Sequence, residues 1–73
     1  MPIFAIKGET RHECLVAGHT LDNRIMVFTE YHRARGSQMR VFVGDKPGDT
    51  YTHLEDDSGN VISIEELKAM RKH

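Results

Sequence analysis

Apolar and polar residues alternate with a period of two over most of the first 44 positions, the pattern of strands that turn one face to a core. The run "IFAIK" predicts a strand over 3–7, closed by Gly8. "HECLVAGHT" predicts a second over 12–20, with Cys14 and Val16 on one face and Leu15 and Ala17 on the other. Gly18 inside it suggests a bulge or a close backbone approach. Asp22–Asn23 predicts a tight primed turn, because both residue types tolerate a positive φ. The strongest pattern lies over 24–32, where Ile25, Val27, Thr29 and Tyr31 oppose Met26, Phe28, Glu30 and His32. Residues 39–44 repeat it, with Met39, Val41 and Val43 opposite Arg40 and Phe42. "HRARGSQ" then reads as the end of a β-hairpin, with Gly36 available for a left-handed position.

"KPG" at 46–48 fits a type II turn. A strand over 50–56 follows, "DSGN" at 57–60 turns the chain, and "NVIS" adds a short sixth strand. Beyond it the period changes. Ser63 and Glu66 form a capping box, and Ile64, Leu67 and Met70 make one apolar stripe. Glu65 and Glu66 in the first turn, with Lys68, Arg71 and Lys72 near the last, complement the helix dipole. A helix over 64–71 lying across the sheet is expected. The fold class is α+β and β-rich: one domain, 1–73, built as a small antiparallel five- or six-stranded meander, curled or barrel-like, with one C-terminal helix.

At 73 residues the core is thin, since a chain of this size buries only about 60% of its unfolded surface. Apolar residues on both faces of the central hairpin therefore leave one face partly open to a partner. Formal net charge is −1, but residues 1–44 carry six basic against four acidic groups and residues 45–73 carry four against seven. This polarised balance argues against autonomous nucleic-acid binding, which draws most of its affinity from phosphate contacts. No apolar run suits a membrane span, and "MPIFAIKGET" has no signal-peptide pattern. The single cysteine, Cys14, suits a reducing cytoplasm.

Candidate chemistry is sparse. His12 and Cys14 share a strand face and offer a Cys–His nucleophile, or with His19 a metal site, yet no orienting acid or full ligand set accompanies them. "EDDSGN" lacks the alternating ligands of a calcium loop and reads as a polar turn. "GDKPGD" is a turn rather than a phosphate cradle. No enzyme activity and no cofactor are expected. The basic tip remains: Arg33, Arg35 and Arg40, with Tyr31 and His32 beside them, are the candidate partner-binding residues. Arginine gives planar, bidentate recognition of carboxylate or phosphate, which lysine does not.

From "MPIFAIKGET" through "HTLDNRIMVFTEYHRARGSQMRVFVGDKPGD" to "EELKAMRKH", the whole chain resembles the small bacteriophage-encoded proteins that bind host bacterial RNA polymerase. The resemblance implies action in the host bacterial cytoplasm on the polymerase near its RNA exit channel, through the β′ N-terminal region and the β flap. Inhibited initiation, and termination suppressed by hindering hairpin formation in nearby nascent RNA, would follow without catalysis or a membrane. The alternative is a small single-stranded nucleic-acid-binding β-barrel, using its aromatic and arginine positions. A nuclease-like toxin finds no general acid–base pair.

Overall fold

The computed structural model describes residues 2–70, and Arg71, Lys72 and His73, two of them assigned to the helix dipole above, lie outside that range. Six strands and two short helices follow the chain: β1 (Ile3–Lys7), β2 (Thr10–His19), β3 (Ile25–Thr29), α1 (Glu30–Ala34), β4 (Val41–Val43), β5 (His53–Asp56), β6 (Val61–Ile62) and α2 (Ile64–Met70). All strand pairs are antiparallel, in the order β4-β3-β2-β1-β5-β6. The sheet curls into a half-barrel because residues 50–52 tie its β4 edge back to β1. Gly44 N–H donates to Tyr51 O at 2.9 Å, Thr50 N–H to Phe42 O at 3.0 Å and Thr52 N–H to Ile6 O at 2.7 Å. A parallel bridge pairs Val43 with Tyr51.

Alternation in β3 and β4 places Val27 and Val43 in the core as the pattern predicts. Ala5, Val27, Val43, Tyr51, Leu54 and Ile62 point inward, and Leu67 from α2 closes the cluster. Ile64 and Met70, the rest of the α2 stripe, are half-buried. Ser63 and Glu66 form the expected reciprocal cap, Ser63 N–H donating to Glu66 Oε1 at 3.2 Å and Glu66 N–H to Ser63 Oγ at 3.1 Å. The "KPG" turn also forms, with Gly48 at φ 92° and Asp49 N–H donating to Lys46 O at 3.1 Å.

Three expectations need correction. The bulge in β2 sits at Leu15, not Gly18: Cys14 pairs with Thr29 and Val16 with Phe28, so Leu15 is the extra residue. The strand therefore changes phase. Cys14 and Ala17 both pack on the core, while Leu15 and Val16 are each 40% exposed. Second, the Asp22–Asn23 connection is no primed two-residue turn. Thr20 N–H donates to Arg24 O at 2.8 Å, Asn23 N–H donates to Thr20 O at 3.1 Å, and only Asn23 has a positive φ, 63°.

Third, the long strand over 24–32 stops at Thr29, and Glu30, Tyr31 and His32 begin a helix. Local chemistry overrides the alternation. Thr29 is extended at φ −107° and ψ 162°, and its hydroxyl accepts from His32 N–H, which caps the helix start. Glu30 lies in the positive first turn. Gly36, at φ 81°, ends it in a Schellman motif, with Ser37 N–H donating to His32 O at 2.9 Å and Gly36 N–H to Arg33 O at 3.0 Å. β3 and β4 still pair, but their connection is a capped helical turn rather than a bare hairpin end, and β4 begins at Val41 rather than 39.

Candidate partner-binding site

The basic tip is mounted on α1, and a chain of polar groups ties α1 to β2, β3 and the 50–52 segment. His12 Nδ1 lies 2.8 Å from Tyr51 Oη, which lies 3.4 Å from Thr29 Oγ1, which in turn lies 2.7 Å from His32 Nδ1. Thr29 is fully buried. As each hydroxyl supplies one proton, the chain runs in a single sense, with one terminal imidazole donating and the other accepting. Burial, opposed by the Thr29 hydrogen bond, pushes the Tyr51 phenol up, so Tyr51 keeps its proton and its place in the chain. Ring packing adds stiffness. Tyr31 stacks on His12 at 4.4 Å and 2°, and His12 and His32 meet Tyr51 edge-on at 5.8 and 6.2 Å.

The structure places the sequence-derived candidates unequally. Tyr31, His32, Arg33 and Arg35 share α1 or its C-cap. Tyr31 is 42% exposed, its ring carrying His12 by stacking and the Arg35 guanidinium at 5.3 Å. His32 faces inward as an anchor. Arg33 is exposed. Arg40 stands apart from this cluster, lining a groove on the outer face of the sheet with Val16, Gly18, His19 and Met26. The three anchoring partners His12, Thr29 and Tyr51 went unread in the sequence. The Thr29 hydroxyl ahead of "EYHRARG" was the one local sign of them, as a helix cap.

Charge pairing separates the arginines. Among the described residues, Arg11 pairs with Glu55 at 2.9 Å and Arg24 with Asp49 at 2.6 Å, and each also covers a ring, Phe4 at 4.0 Å and Phe42 at 3.8 Å. Arg33, Arg35 and Arg40 have no carboxylate partner among those residues. Among the described residues, the arginines without an ion pair are thus the three candidates read from the sequence.

Nucleophilic chemistry has poor material. The Cys14 thiol is pushed up to about 12, first by burial and then by the Glu13 carboxylate, so it carries almost no thiolate near neutral pH. His12 Nδ1 bonds Tyr51 Oη. Among the described residues, no three His, Cys, Asp or Glu side chains are grouped to hold a metal ion. Comparison with protein-family models, curated proteins and solved structures gives no match.

Proposed function

We propose that this chain is a bacteriophage transcription regulator that docks on host bacterial RNA polymerase near the RNA exit channel, at the β′ N-terminal region and the β flap. It acts there by occupancy alone. Seated beside the initiation factor it inhibits promoter-dependent initiation, and beside nascent RNA it hinders the terminator hairpin. The observation that supports this most is the set of three guanidinia without a carboxylate partner among the described residues, Arg33 on α1 and Arg35 at its C-cap, the helix being capped at both ends and pinned from beneath. A rigid, unpaired arginine display suits an acidic protein surface, because little side-chain mount must be ordered on binding. Whole-chain resemblance to polymerase-binding phage proteins supplies the identity of that surface.

The single-strand-binding alternative needs free ring faces for stacking bases. Of five aromatic rings, Phe4, Phe42 and Tyr31 already carry a guanidinium or imidazole, and Tyr51 is buried. Retention of polymerase from a nuclease-treated bacterial lysate tests the reading, and its loss on nuclease treatment would favour nucleic acid instead. The triple variant Arg33→Ser, Arg35→Ser, Arg40→Ser should fold, bind polymerase more weakly and show a flatter salt dependence. Unchanged binding and antitermination in that variant would remove the arginines from the mechanism.

A further inference from the structure

The outer surface of the sheet has two different halves. Over β1, β2 and β5 it is ionic: Arg11 covers Phe4 and pairs with Glu55, which also bonds His53 at 2.8 Å. Over β2, β3 and β4 it is apolar. Register aligns Val16 with Phe28, and Gly18 with Met26 and Phe42, all on the side opposite core-facing Val27. The missing side chain of Gly18 leaves a hollow of about 330 Å³ walled by Val16, Met26, His19 and Arg40. At the Phe42 end the Arg24–Asp49 pair seals the patch. At the Val16 end no ion pair of the described residues seals it: Val16 is 40% exposed, and Arg40 has no carboxylate partner among them.

We infer that this hollow is a second docking surface, distinct from the α1 tip, which receives an apolar side chain next to a carboxylate on a protein partner. This deepens the proposed function and rests on it: the partner is polymerase, and the matching element is an acidic segment with an apolar anchor. Charge complementarity selects that occupant. The rim offers Arg40, with His19 beside it, and no carboxylate lines the hollow among the described residues. An apolar contact with a single charge at its edge gives an anchor whose strength survives salt, while the exposed tip supplies the salt-sensitive part.

Purified bacterial RNA polymerase is the probe, titrated with the parent, Val16→Asp, Arg40→Glu and the tip pair Arg33→Ser/Arg35→Ser. Val16→Asp and Arg40→Glu should each weaken binding at least about tenfold, the cost of a misplaced charge in a buried contact. The Val16→Asp loss should persist at 0.5 M salt, whereas the deficit of the tip pair should shrink. Methyl resonances of Val16 and Met26 in the unmutated chain should shift when polymerase is added and that of Val61 should not, so the test does not depend on the variants folding. Full binding by both folded variants, or unmoved Val16 and Met26 methyls, would overturn the surface while leaving polymerase as the partner. Failure of the parent to bind polymerase would remove both. Self-association of the parent that Val16→Asp abolishes would make the occupant a second copy and also refute the inference.

Discussion

Thr29→Val is the sharpest test of how the arginine display is held. The substitution keeps shape and branching and removes one hydroxyl, and that hydroxyl serves His32 N–H at 3.3 Å, His32 Nδ1 at 2.7 Å and Tyr51 Oη at 3.4 Å. Loss of the cap alone costs about 1 kcal/mol. Tyr51 keeps His12, but His32 Nδ1 loses its partner while half-buried, which adds about 1 kcal/mol. A total of about 2 kcal/mol corresponds to a fall in Tm of about 8–16 °C for a domain of this size. Thr29→Ser, which keeps the oxygen and loses a methyl, should cost about 0.8 kcal/mol. Thermal melts of the three proteins decide the matter, with amide exchange at Gly36 and Ser37 reporting whether α1 has come loose. If Thr29→Val melts within about 2 °C of the parent, or no lower than Thr29→Ser, the hydroxyl is not the hub.

Cys14 should resist alkylation in the folded protein. At pH 8 its thiolate fraction falls from about a quarter for a free cysteine to about one in ten thousand at a pKa of about 12; iodoacetamide labelling should therefore be over a thousandfold slower than in denaturant, and comparable rates would refute the burial. Gly44→Ala places a Cβ 2.7 Å from Asp49 Oδ2, whose side chain is 5% exposed and held by Arg24. The forced shift should cost about 1–3 kcal/mol in a urea melt, and a neutral result would show that the loop yields freely. Asp56 accepts from Asn60 N–H and Ser58 N–H, both at 2.9 Å, and the Asn60 amide foremost holds its carboxyl below the usual carboxylate range. Its contribution is thus complete above the ordinary carboxylate pKa and lost as pH falls through the lowered one. Asp56→Asn should melt lower than the parent at pH 7, with the gap closing toward pH 2, and a gap independent of pH would refute that assignment.

The sheet was legible because its strands have one buried face and the pattern states which. Val27 and Val43 fall where alternation puts them, and the Ser63–Glu66 box marked the start of α2 within the sequence itself. Two local events escaped. A bulge leaves no mark in composition: Leu15 and Val16 are both strand-favouring, and only the pairing of Cys14 with Thr29 and Val16 with Phe28 reveals the extra residue. At Thr29 the alternation and the cap compete for the same residues. "TEYHRARG" satisfies a strand pattern for three more positions beyond Thr29, and equally offers a threonine cap, an acidic first turn and a glycine stop. Once both ends of a turn are satisfied, one helical turn leaves few orphan backbone groups, and the strand loses.

The candidate site was legible as composition and illegible as geometry. Three arginines within eight residues pointed to an anionic partner, but on a bare hairpin they would have formed one mobile cluster. The helix divides them instead. Arg33 and Arg35 ride on or next to α1, over a ring stack rooted in His12, while Arg40 has turned onto the outer face beside Gly18. What holds the first pair is a set of groups from positions 12, 29, 32 and 51, brought together by the curl that joins residues 50–52 to β1 and β4. No spacing rule connects those positions, because their proximity comes from sheet closure rather than from period. The same closure leaves the outer halves of the sheet unlike each other: ionic where Arg11 and Glu55 pair across the strands, apolar where Val16, Met26 and Phe28 stand without such cover. A partner reading this molecule through charge alone would meet α1 first. On the proposed docking, durable attachment at physiological salt would draw on the apolar half as well, since exposed charge pairs are screened and contribute little alone.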